Sequence, residues 1–368
     1  MNQRELVLSV LKGTSPDRIP WFADLSYWYN GSQINGKLPE KYRGEEGYLQ
    51  LHKDVGVGIY LYAPFPVLEL YDETVTYNEQ KDGDLLITSF STPLGKLTSL
   101  QKYSAQTYSM GYIEHFVKEP KDLAVMRYIF EHMLFKQNYE QFTRVDKAWG
   151  PYGLPAILPP HSTSPLQLLL TRWAGVETTI SLYMDAKNEL EQTLSHLQAC
   201  DDPLFELLAA APGTLVIFTE NLDAAVTGRN FMQLYEIPYW QKRVKQLQDK
   251  GKIIGIHNDG CVAGSLGLLS ETNFDFVEAV TPAPVGDMEI EKIRDITQDK
   301  IIVWGGVPGA IFSPVYSDDF FKQFVSKVLM TFPIGSGFVL GVADQVPPDA
   351  SLERVRVVRD IIDNFNYT

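Results

Sequence analysis

The chain has 368 residues, 45% of them hydrophobic, enough to bury a large core in a body of one or two domains. Its 32 basic and 46 acidic residues leave a formal charge of −14, a surface that repels phosphate backbones and anionic membranes and argues against nucleic-acid or membrane partners. The two cysteines, Cys200 and Cys261, cannot build a disulfide framework, which points to a reducing, cytoplasmic setting.

At the start, Leu6, Val7, Val10 and Leu11 recur at helical spacing before Gly13, an amphipathic helix rather than a signal peptide. Eight short apolar runs follow, at 19–23, 56–62, 155–158, 215–219, 253–256, 274–279, 301–304 and 337–342. Continuous apolar runs of this length suit parallel strands covered on both faces. Between the second and third lies an irregular stretch, about 69–150, with a hairpin signal at Asp82-Gly83 and helices from about 121 to 147. It reads as an insertion that would shelter a site from water. Pro165 then opens a helix that Gly175 closes. The most apolar stretch, 207–218, is broken by Pro212-Gly213, so no membrane span is expected. Ser317 before Asp318 and Asp319, and Ser351 before Glu353, mark the starts of the last two helices. Strand and helix alternate from 155 onward, which predicts one (β/α)8 barrel built of right-handed βα units.

In such a barrel every strand delivers its C-terminal end to one rim, and polar residues gather there. His257-Asn258-Asp259-Gly260 packs an imidazole, an amide and a carboxylate into one turn. Neutral imidazole is a good zinc ligand, and carboxylates complete sites where thiolates are absent. Glu220 and Asn221 follow the preceding run, where Glu220 is a metal ligand, a salt-bridge partner of Arg229 or a solvated loop acid. Glu236 precedes Ile237-Pro238, whose proline disturbs the helix and can turn the acid toward the rim; a solvated helical face is the alternative. Asp344 follows the last run, and Glu278 and Trp304 end the two before it. His161 follows Pro159-Pro160, where it contacts substrate or holds a loop. Asp24 ends the first run ahead of Tyr27, Trp28 and Tyr29, an apolar wall for a flat ligand or a core packing unit. On this reading His257, Glu220, Glu236 and Asp344 are candidate metal ligands, and Asp24, His161, Asn221 and Asp259 are candidate catalytic residues. Gly305-Gly306-Val307-Pro308-Gly309 lacks a Walker lysine and a dinucleotide fingerprint.

Several short segments, in this order, resemble the uroporphyrinogen decarboxylase superfamily, which includes cobamide-dependent methyltransferases. They are Asp17-Arg18-Ile19-Pro20-Trp21, Thr92-Pro93-Leu94-Gly95, Ile237-Pro238-Tyr239, 257–260 and Val346-Pro347-Pro348-Asp349. The resemblance implies a single (β/α)8 barrel. The decarboxylase branch carries an arginine-containing segment after its first strand; here that stretch, 22–29, holds Asp24 and aromatics, which would repel a polycarboxylate. The methyltransferase branch binds zinc through His-x-Cys and a later Cys. His257 matches, Asp259 stands at the first cysteine position and Asp344 at the second. The resemblance therefore implies a zinc-dependent methyltransferase that takes a methyl group from a small ether, alcohol or amine and passes it to a corrinoid on a partner protein. A metal-free lyase or decarboxylase, or a non-catalytic small-molecule-binding protein, is the alternative on the same barrel.

Overall fold

Residues 1–161, 164–298 and 300–365 are described in the structure, a computed structural model. Six parallel strands form a curled sheet: β1 (Trp21–Phe22), β2 (Leu215–Phe218), β3 (Ile253–His257), β4 (Phe276–Val280), β5 (Ile302–Pro308) and β6 (Phe338–Ala343), in the spatial order β1-β6-β5-β4-β3-β2. All their residues are buried except the half-buried Ile253 and Ile302, which is why their apolar runs show no alternation. The other two predicted strands, 56–62 and 155–158, pair only through single parallel bridges: Phe22 with Gly58, Ile59 with Gly153, and Ile157 with Val216.

Neighbouring residues on a strand nevertheless face different cores. Leu215 and Ile217 join a cluster with Phe22, Tyr60, Phe276, Trp304 and Val339, inside the curl. Val216 and Phe218 join the larger core between sheet and helices. This parity decides where each rim residue ends up. The helix Gln3–Leu11, opened by a capping box in which Asn2 and Glu5 bond each other's backbone N–H groups, sends Val7, Val10 and Leu11 into the inner cluster. Each such aliphatic side chain contributes about 1.5–3 kcal/mol on full burial.

The insertion is more structured than a hairpin. Four antiparallel strands, Thr76–Asp82, Leu85–Thr92, Gly95–Ser104 and Ser109–Glu114, form a separate sheet, with the expected turn at Asp82-Gly83. Strand Met133–Gln137, between the helices Asp122–Glu131 and Tyr139–Trp149, pairs with Val67–Tyr71. Phe90, Leu97, Phe116, Ile129 and Phe130 of this region share a second core with Leu166, Leu169, Trp173 and Leu194 of the helices that follow. The insertion is thus packed into the helical layer. The helix from Pro165 is α-helical only to Leu168 and π-helical over Leu169–Trp173 before Gly175 restarts it.

Candidate active site at the sheet mouth

His257 ends β3, two residues beyond Gly255 on the same strand face, where a Cβ would lie 2.2 Å from the Phe276 ring. The glycine makes room for that ring beneath the imidazole. Glu278 on β4 lies directly opposite His257. Its Oε2 is 2.6 Å from His257 Nδ1, and its Oε1 accepts from the Tyr60 hydroxyl at 2.6 Å. The imidazole is therefore fixed by one nitrogen, and Nε2 is left facing Asp259 and Asp344, each with Oδ1 at 3.8 Å. Burial works against the imidazolium, but Glu278, Asp344 and Asp259 overcome it and push His257 up to about 9. Burial likewise raises Asp344 to about 7, against the pull of His257 and with help from Asp259, Glu278 and Asp24.

Asp24 follows β1 on the inward parity of Phe22. Its Oδ1 accepts from Ser26 N at 2.7 Å and its Oδ2 from Gln345 Nε2 at 2.8 Å, while its backbone oxygen accepts from Val346 N. Burial raises its pKa, and the bonds from Ser26 and Gln345 moderate the rise. The loop after β6 is in this way tied to the loop after β1, and Trp28 Nε1 adds a bond to Ala350 O at 3.2 Å. Behind Asp24 stands a ring cluster, Tyr29–Tyr48 at 5.0 Å and Tyr48–Tyr62 at 4.7 Å between centroids.

Glu220 and Glu236 meet each other elsewhere, in the layer between sheet and helices. Glu220 has the parity of Val216 and Phe218. Both its oxygens accept from Ser164 N at 2.9 Å, Oε2 also takes Ser164 Oγ at 2.9 Å, and Oε1 takes Trp240 Nε1 at 2.9 Å. Burial, against these bonds, lifts Glu220 to about 7. Glu236 closes the π-helical turn Met232–Glu236, directly ahead of the helix Ile237–Gln248, and this wider turn carries it fully inward. Burial and then Glu220 hold its carboxyl well above the usual range.

His161 lies in a third group. Its Nδ1 pairs with Glu69 of the insertion and its Nε2 with Asp201 Oδ1 at 2.9 Å, while Tyr239 donates to Asp201 Oδ2 at 2.6 Å. Asn221 is exposed with φ +46°, and its backbone oxygen accepts from Gln167. The structure therefore brings His257, Asp259, Asp344 and Asp24 to one mouth and places Glu220 with Glu236 outside the curl. It adds Glu278 and Tyr60, whose inward parity with Phe276 and the Gly58-to-Tyr60 run is the signal that could have singled them out.

The donor set at the mouth fits zinc chemically: an imidazole nitrogen, a carboxylate fixing the other nitrogen, and two further carboxylates. Those carboxylates stand at ion-pair distance, and among the described residues no three or more His, Cys, Asp or Glu side chains form a ready metal-holding group. No described helix is long and apolar enough to cross a membrane.

No protein-family model matches this sequence, and the search of curated proteins found no match. Among solved structures, a methyltransferase from Methanosarcina mazei is similar over 99% of this chain and 99% of its own, with a TM-score of 0.63 and 13% sequence identity. At that identity the likeness is one of fold alone.

Proposed function

We propose that the chain is an enzyme that transfers a methyl group from a small methylated donor, an ether, alcohol or amine, to a corrinoid carried by a partner protein. The same reading takes segments 57–60 and 153–157 as completing a (β/α)8 barrel, whose C-terminal mouth is the usual place for catalytic groups. The observation that carries it is His257, held through Nδ1 by Glu278 with Nε2 turned to Asp259 and Asp344. The sequence resemblance and the methyltransferase fold neighbour point the same way.

His257, Asp259 and Asp344 would hold a zinc ion. Bound there, zinc supplies Lewis acidity toward the atom that leaves the methyl group. Glu278 and Tyr60 keep the imidazole in one orientation and one tautomer. Asp24 and Gln345 hold the loops after β1 and β6 together across the mouth, so that a donor meets a preset wall. A corrinoid would supply the methyl-accepting chemistry, and this chain would position the donor.

The test measures zinc in purified protein and methylation of a reduced corrinoid protein from methanol, methyl ethers and methylamines. The wild type should hold about one zinc per chain and use at least one donor. His257→Ala should lose zinc and transfer together while its thermal unfolding changes little, since stability comes from the apolar layers below the rim. A wild type that never takes up zinc, or a variant with full activity, would favour metal-free acid–base chemistry on these residues or simple ligand binding.

A further inference from the structure

Glu236 is a buried acid with neither oxygen satisfied: it is 0% exposed, and neither carboxyl oxygen has a hydrogen-bond partner. Ser164 lies within reach of it, but the Ser164 hydroxyl is committed to Glu220 Oε2 at 2.9 Å, and the Ser164 amide to both oxygens of Glu220. Trp240 Nε1 is also spent on Glu220. Among the described residues the Ser164 and Trp240 donors thus serve Glu220, and no Lys, Arg or His pairs with either acid.

A buried carboxyl without partners is among the costliest arrangements in a folded protein. Protonation relieves the charge but not the hydrogen bonding. A proton shared with Glu220 engages one Glu236 oxygen and leaves the other a buried acceptor with no donor. A third species with at least two donors completes the site.

We infer that Glu220 and Glu236 form a binding site for a small cation bearing N–H donors, of the ammonium or alkylammonium class. Glu220, whose carboxylate the Ser164 and Trp240 donors favour against burial, supplies the countercharge. Glu236 supplies two free acceptors. The full burial of both acids restricts the ligand to a few heavy atoms. This site lies outside the sheet mouth and does not depend on the methyl-transfer reading.

The experiment reads thermal shift and calorimetric binding at constant ionic strength for ammonium, methylammonium and dimethylammonium chlorides. Potassium and tetramethylammonium chlorides serve as cations without N–H groups. Wild type should be stabilised by the N–H cations alone, at least tenfold more tightly than Glu236→Gln, and Glu220→Gln should show the same loss. His257→Ala, altered only at the mouth, should bind as wild type does. Equal response to all five salts, no response to any, or undiminished binding in both glutamine variants would overturn the assignment and leave a proton-sharing acid pair.

Discussion

His161 keeps its proton in a buried position because two carboxylates flank it. Burial alone would drive the imidazole neutral, yet Asp201 and Glu69 outweigh it and lift His161 to about 10, from an ordinary value of 6.5. Because the folded value is raised, the imidazolium stabilises the fold fully below about pH 6.5, and that contribution fades as pH rises through 10. Replacing His161 with Gln should cost about 3–5 kcal/mol at pH 6 by stranding Glu69 and Asp201, with the deficit shrinking toward pH 10. Urea unfolding of both proteins across that range checks the sign; a deficit that grows with pH would refute it. At this scale the sequence announced His257, Asp259 and Asp344, since a polar turn after an apolar run is visible in one dimension. It did not separate Glu220 from them. That separation follows from strand parity, which becomes readable only once the register of β2 against β3 is known.

The elements place these side chains through two irregularities. The β4–β5 ladder shifts register between Glu278 and Val280, where Ala279 takes φ +65°. Opposite it, Gly305 has φ +145°, and a Cβ there would lie 2.7 Å from Val280 N. Such a bulge re-aims the residue beside it, here Glu278 toward His257. Gly305→Ala should therefore destabilise the protein by about 1–3 kcal/mol through steric overlap at a backbone angle foreign to alanine. It should also lengthen the Glu278–His257 contact, which a crystal structure of the variant would reveal. The capped helices at Ser317 and Ser351 were legible because a cap is a local signal, and both serines accept from the first turn. The π-helical turns at 169–173 and 232–236 were not, since an extra residue per turn leaves no mark on composition.

The molecule has two principal hydrophobic bodies besides the inner cluster of the curl. Trp173 ties the second together, with ring centroids 4.8 Å from Phe116, 5.2 Å from Phe130 and 5.4 Å from Phe90. It joins the inserted sheet to the helices after the third predicted strand, so Trp173→Ala should cost about 3–5 kcal/mol. Calorimetry should show the loss, and amide exchange should rise first in 76–114, ahead of the parallel sheet. Simultaneous loss across both would show that the two cores melt as one. The alternation of strand and helix foretold the parallel sheet, whereas the insertion's four-stranded sheet was reduced to a hairpin because its outer strand, Thr76–Asp82, is exposed throughout and carries no apolar pattern.

The chain leaves the curled sheet after Gly58 and Ile59 and returns at Gly153 and Ile157, and these are the segments joined by single bridges. Entry and exit of the insertion thus coincide with a seam in the wall, where pairing runs through isolated bridges instead of a continuous ladder. Tyr60, which steadies Glu278 and through it His257, stands on that seam. The near edge of this seam is therefore the sheet mouth where His257 lies. The amides of Gly58, Ile59 and Leu154 should therefore exchange with solvent faster than those of β5 and β6, and uniform protection around the wall would show the seam to be closed.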